Sequence, residues 1–193
     1  MGGVTKAFLM PILLALYILS YSRPSIYIIL ALSFGYLGDI FLIARKRYFV
    51  QGLLSFLAGH IFYIGAFLSF TKTSNFSPKI YLFLLPYIIY FIVIYKFLRP
   101  NLKTLKAEAF IYMTALLTMS YTCLLYLVQG SHGAGYGRAY LAFIGSVFFV
   151  FSDTQLALSE FKGSKEGRIR AEVFIMVTYI LAQTMIVFGS PGA

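Results

Sequence analysis

Long apolar runs separated by short polar gaps make up nearly the whole chain. The runs fall near residues 4–21, 25–43, 49–70, 79–98, 107–128, 138–159 and 171–188. Each is close to the roughly 20 residues a helix needs to cross a hydrocarbon core. Stretches such as "KIYLFLLPYIIYFIVIYKFL" are apolar throughout, whereas the strands of a membrane barrel would alternate in polarity. A helix also satisfies its own backbone in lipid. The pattern therefore predicts an all-α fold, a polytopic bundle of seven transmembrane helices forming one domain over residues 1–193. The first run follows only Lys6 and is succeeded by "SYSRPS", with no small-residue cleavage site, so it is expected to be retained as a span. The gaps leave no room for a soluble domain, and no repeat supports an inverted-topology transporter.

Composition agrees. Of 193 residues, 60% are hydrophobic and 11% charged, against about 25% charged in soluble domains, and the mean hydropathy is +0.84. An integral, multi-pass protein of the cell (inner or plasma) membrane is expected. Sixteen Lys and Arg against six Asp and Glu give a net charge of +10. In a soluble domain that excess would suggest nucleic acid. Here the cations sit in the gaps between runs, so membrane topology accounts for them and no nucleic-acid partner is expected. The N-terminus and the gaps after runs two, four and six hold twelve: Lys6, Arg45, Lys46, Arg47, Lys96, Arg99, Lys103, Lys106, Lys162, Lys165, Arg168 and Arg170. The other side holds four: Arg23, Lys72, Lys79 and Arg138. By the positive-inside rule the N-terminus is cytoplasmic and the C-terminus outside. A single cysteine, Cys123, excludes an intramolecular disulfide and a Cys-based metal cage. The glycine-rich "QGSHGAGYGR" lacks the lysine and the strand-turn-helix context of a phosphate loop, so it reads as a flexible linker with a solvated His132.

An aspartate at the centre of a membrane helix costs about 2.5–3.5 kcal/mol on insertion scales and is normally turned to the bundle interior for a purpose. Two such residues stand out, Asp39 in "SFGYLGDIFLI" and Asp153 in "GSVFFVFSDTQLAL". At about 1.5 Å per residue, Asp39 lies roughly 7 Å and Asp153 about 10 Å from the basic face. On the same scale His60 lies roughly 18 Å, Tyr179 about 14 Å and Gln183 about 20 Å from that face. Helical spacing gives each run one polar or small stripe: Gly52, Phe56, His60 and Tyr63; Glu172, Tyr179 and Gln183; Gly35 and Asp39. A cavity walled by runs two, three, six and seven is expected. Plainer roles compete for each residue. Asp39 could pair with the Arg45 to Arg47 cluster, Ser152 could bond to a carbonyl, and Gln183 could join helices. Glu108 and Glu172 suit helix N-termini.

The blocks "GDIFLI", "YFVQGLLSFLAGHIFYIGAF", "GSVFFVFSDTQLALSEF" and "YILAQTMI" together resemble the YhhN family, whose animal members are lysoplasmalogenases. The resemblance runs over roughly residues 6–188. Gly35 departs from it, standing where relatives often carry Ser in an S-x-x-G-D pattern, and the additional N-terminal helix of some members is not expected here. The resemblance implies hydrolysis of the vinyl ether of an alkenyl lysophospholipid to a fatty aldehyde and a glycerophospho-headgroup, a reaction of lipid metabolism. Vinyl ether hydrolysis needs a proton donor for the β-carbon and a negative charge beside the resulting oxocarbenium ion. Two carboxyl groups in unlike settings can divide those roles. Asp153, the deeper, is assigned general acid and Asp39 the ionised partner, with the reverse assignment left open. His60, Tyr63, Ser152, Tyr179 and Gln183 would orient substrate and water, and the basic rim would attract the lipid phosphate. No metal or other cofactor is required. A hydrolase of another lysolipid, a one-His, two-Asp metal hydrolase and a proton-coupled small-solute transporter are the competing readings.

Overall fold

The computed structural model describes residues 2–71, 78–130, 136–162 and 165–190. His132 lies outside the described residues. Among those described, seven α-helices follow one another, α1 (Gly2–Ser20), α2 (Ile26–Ile43), α3 (Arg45–Phe70), α4 (Leu84–Leu98), α5 (Lys106–Leu125), α6 (Tyr136–Phe161) and α7 (Lys165–Gly189). The described residues contain no strand. Six of the described segments are long and apolar enough to cross a membrane: Ile26–Ile43, Arg47–Phe70, Ile80–Asn101, Lys106–Gln129, Gly137–Phe161 and Glu172–Gly189. The apolar part of α1 is shorter, Phe8–Ser20. Length and composition thus support six spans and a shorter apolar helix, where the sequence predicts seven comparable runs.

The helix limits depart from the predicted ones mainly at the basic ends. α2 turns into α3 at the single residue Ala44. The first turn of α3 carries Arg45 and Lys46, and the chain kinks at Tyr48, whose φ of −121° and ψ of 24° are not helical. The apolar run of α3 therefore begins at residue 49, as predicted, although the helix starts earlier. α7 likewise starts at Lys165, which places Glu172 about two turns inside the helix rather than at its N-terminus. Glu108 does stand in the first turn of α5. A 3-10 turn at Pro78–Phe83 leads into α4, a second at Arg99–Asn101 follows it, and a π-turn at Tyr126–Gly130 ends α5.

Helices α6 and α7 form the most extensive pair, followed by α2 with α3. Small residues explain the first. A Cβ on Gly145 would lie 2.8 Å from the Met185 Cβ and 2.9 Å from the Ala182 carbonyl oxygen, and one on Gly189 would collide with the backbone of Ala142. Without a hydrophobic driving force between helices in lipid, such close backbone contact is what van der Waals packing relies on. The core brings together Met10 and Tyr17 of α1, Ile28 and Leu32 of α2, Phe67 of α3, Met119 of α5, Phe149 of α6 and Ile186 of α7. The outside is apolar as well, with Leu19, Leu54, Ile61, Leu82, Ile89 and Val173 exposed. A soluble monomer rarely shows so continuous an apolar surface; facing lipid it is the low-energy arrangement. Many serine and threonine hydroxyls bond back to their own helix, as Ser33 does to Ile29 and Thr178 to Phe174.

Candidate active site

α6 carries its aspartate in an otherwise apolar segment, about 12 Å inside the helix end at Phe161 by the helical rise. The Tyr112 hydroxyl of α5 donates to Asp153 Oδ2. The same hydroxyl oxygen lies 3.2 Å from His60 Nε2 of α3, and His60 Nε2 lies 3.7 Å from Asp153 Oδ2. A phenol has one hydrogen, and here it is directed at the carboxylate. With Asp153 ionised, the His60 contact is Nε2–H donating to the Tyr112 oxygen; with Asp153 protonated, the tyrosine hydrogen can instead turn to a bare Nε2. The imidazole is almost wholly buried, with the Tyr112 ring 5.3 Å and the Phe149 ring 5.0 Å from it, both edge-on. Its Nδ1 has no hydrogen-bond partner among the described residues.

A second polar group joins α2, α3 and α7. The Tyr179 hydroxyl donates to Asp39 Oδ2 at 3.2 Å, and the Tyr63 hydroxyl donates to Gln183 Oε1 at 2.6 Å. Gln183 also reaches Tyr179 by a side-chain hydrogen bond. Asp39, Tyr63, Tyr179 and Gln183 are each no more than 3% exposed. Gly35 leaves space beside them: a Cβ there would meet Gln183 Nε2 at 3.6 Å and the Tyr179 hydroxyl at 3.7 Å. The two groups adjoin through aromatic rings. Phe149 packs edge-on against Tyr179 at 5.5 Å and against His60 at 5.0 Å, while Phe56 meets Tyr179 at 6.0 Å.

Beside Asp153 opens an apolar cleft. Its cavity volume is about 80 Å³. Asp153, Tyr112 and Phe56 line its inner end, and Phe49, Leu98, Leu102, Leu105 and Phe161 line the part nearer the basic helix ends. Its polar lining residues are few, Asp153, Tyr112, Tyr95 and Thr154, and the Thr154 Oγ1 lies 2.7 Å from the Tyr90 hydroxyl of α4. Arg99, Lys103, Lys106 and Lys162 each follow one of the lining residues directly in sequence. Lys162 Nζ rests 3.2 Å above the centre of the Phe97 ring, a cation–π contact.

The predicted residues thus separate. His60 comes together with Asp153, whereas Tyr63, Tyr179 and Gln183 come together with Asp39, and none of these four lines the cleft. Asp39 is buried against α7. Ser152 turns away from both groups: its Oγ donates to the Ile175 carbonyl across the α6–α7 contact at 3.0 Å. The predicted cavity walls also change. The cleft is built from α3, α4, α5 and α6 with Leu42 of α2, and α7 contributes no lining residue. The sequence does not single out Tyr112, although Glu108 and Tyr112 share a face of α5 by their spacing of four. Among the described residues no group of three or more His, Cys, Asp or Glu side chains is placed to hold a metal ion, so a one-His, two-Asp set does not assemble there.

Fold and site together define a helical membrane protein with two interior carboxylates, one of which ends an apolar cleft. The model of the YhhN family matches residues 2–190, and the chain belongs to that family. Neither the curated proteins nor the solved structures compared with it gave a match.

Proposed function

We propose that the protein is a multi-pass hydrolase of the cell membrane that cleaves the vinyl ether bond of alkenyl lysophospholipids. The observation that carries this reading is an apolar cleft ending at a carboxylate that a tyrosine hydrogen-bonds. Such a cleft suits one hydrocarbon chain, and the cations flanking its mouth suit a lipid phosphate. Asp153 lines the cleft and acts as general acid. Its proton passes to the β-carbon of the vinyl ether as the π pair forms the C–H bond, leaving an oxocarbenium ion. Water adds to the α-carbon, the one bonded to the ether oxygen, and releases a proton. The hemiacetal then collapses, the carbon–oxygen bond to glycerol breaks, and fatty aldehyde leaves with the glycerophospho-headgroup.

Asp39 acts from behind the first layer. Through the Tyr179 hydroxyl it holds negative potential toward the developing cation, and Tyr63 and Gln183 fix that hydroxyl. Preorganised dipoles in a water-poor site are worth far more than the same groups in water. The test is a mass-spectrometric screen of purified protein with alkenyl, alkyl and acyl lysophospholipids carrying the same headgroup. Fatty aldehyde from the alkenyl lipid, with the alkyl ether untouched, is the expected outcome. Release of fatty acid from the acyl lipid alone would assign a different hydrolase. No product from any of the three would remove the hydrolytic reading and leave the transporter in its place.

A further inference from the structure

The cleft stops at Asp153, and a substrate whose ether bond lies there needs somewhere for the rest of its hydrocarbon chain. The geometry points to a second, lipid-facing groove between α4 and α5 as the binding site for that chain, which leaves the cleft at the aromatic cluster of Phe91, Tyr95 and Phe110. The identity of the ligand rests on the proposed hydrolysis of a single-chain lysophospholipid, and its position rests on the shape of the bundle.

With the phosphate at the basic rim and the ether beside Asp153, about 12 Å in by the helical rise, the chain continues away from the rim. The cleft offers it little space. At about 80 Å³ it takes roughly five to eight water-sized groups of about 10–15 Å³ each, enough for the ether and the first carbons. The α4–α5 groove holds about 270 Å³. Leu84, Ile88 and Phe91 form its α4 wall, and Thr114, Leu117 and Tyr121 its α5 wall. On α4 that stripe runs on at helical spacing into Ile94, Tyr95 and Leu98 of the cleft, so the two spaces lie end to end along one helix face. Lys162 rests on the Phe97 ring, which sets the ends of α4 and α6 level. Leu84 stands about 20 Å from Phe97 by the helical rise, so the groove reaches farther into the membrane than Asp153 does. Phe91, Tyr95 and Phe110 mark the junction, with ring centres 5.6, 5.1 and 5.6 Å apart. Tyr95 lines the cleft, and Phe91 and Phe110 line the groove. Within α4 only Leu98 is buried, so little packing is lost when the cluster parts to pass a chain. The groove's hydroxyls are turned to other partners: Tyr121 donates to the Ile80 carbonyl at 3.1 Å and Thr114 to the Phe110 carbonyl at 2.8 Å, while the Tyr87 hydroxyl lies 3.2 Å from Ser120 Oγ. The surface left for a ligand is apolar, as a hydrocarbon chain requires.

The test has two arms. In the first, a non-cleavable alkyl lysophospholipid carrying a diazirine at the end of its chain is photolysed with wild-type protein in detergent, and the label is mapped by mass spectrometry. Label on residues 84–91 or 114–121 is expected, displaced by excess unlabelled alkyl lysophospholipid and not by diacyl lipid. Label on other helices, no label, or label that diacyl lipid displaces equally overturns the tail site. In the second, Thr118→Trp fills the groove from an exposed position. With a long-chain alkenyl lysophospholipid its KM is expected to rise on the order of tenfold, as for the lost burial of about two methylenes, while a short-chain homologue that ends within the cleft keeps the wild-type KM. A long-chain KM equal to wild type, or an equal rise for both chains, overturns the site. If the wild type releases no aldehyde, the label still decides where the chain lies. If aldehyde is released while the label falls elsewhere, the hydrolysis stands and the groove falls.

Discussion

Four residues from three helices meet in the group around Asp39, and their interdependence sets what a single substitution does. Gln183 Oε1 accepts from Tyr63 at 2.6 Å and its amide reaches Tyr179, which in turn holds Asp39. Replacing Gln183 by Leu keeps the volume near that of the original side chain but leaves a buried tyrosine hydroxyl without its acceptor. Interhelical hydrogen bonds in membranes average about 0.6 and reach about 1.7 kcal/mol, so Gln183→Leu is expected to lower stability by about 1 kcal/mol in an SDS-unfolding titration. A loss below the error of the titration would show that the group contributes nothing to the fold. Ser at position 35 is the gentler probe. The spacing around Gly35 is ordinary van der Waals contact, so a hydroxyl there sits beside Tyr179 and Gln183 without displacing backbone.

Two helix pairs bear most of the packing, and one of them depends on glycines at single positions. Gly145 faces the Ala182 carbonyl and Met185 of α7 so closely that a side chain on it must push α6 from α7. Gly137, in the same helix, has nothing within 4 Å of the place a Cβ would take. Gly145→Val is expected to cost about 1–3 kcal/mol by overpacking, read as a lower SDS midpoint, with Gly137→Ala unchanged. Equal midpoints would place the α6–α7 contact elsewhere. Helices and their approximate limits are legible in the sequence because uninterrupted apolar runs have one stable form in lipid. Of the seven predicted spans, six described segments are long and apolar enough to cross a membrane, and α1 adds the shorter described stretch Phe8–Ser20. The partition of the site is hidden. Polar stripes do mark His60, Tyr63, Tyr179 and Gln183 as inward-facing. A cleft lined by Leu and Phe on helices that are apolar all round leaves no such stripe, so α4 and α5 do not announce themselves as walls. Tyr112 is one of 16 tyrosines, a residue type that signals nothing in a membrane helix until its partner is known.

Across the whole molecule, charge and site point to the same face. Twelve cations against four predict by the positive-inside rule that the richer side faces the cytoplasm, and the cleft runs inward from the end that carries Arg99, Lys103, Lys106 and Lys162. A substrate drawn from the inner leaflet is therefore expected. In a Cys123→Ser background, a cysteine at Lys103 is expected to react with impermeant thiol reagent only after the membrane is opened, and one at Arg138 in intact cells. The reverse pattern would invert the bundle. The central claim is narrower than topology, namely that the Asp153 carboxyl at the cleft's inner end delivers the proton that breaks the ether. Its most direct measurement is the rate of fatty aldehyde release from an alkenyl lysophospholipid by folded Asp153→Asn protein beside the wild type. A rate at least about 10²-fold lower is predicted, and equal rates would contradict the claim.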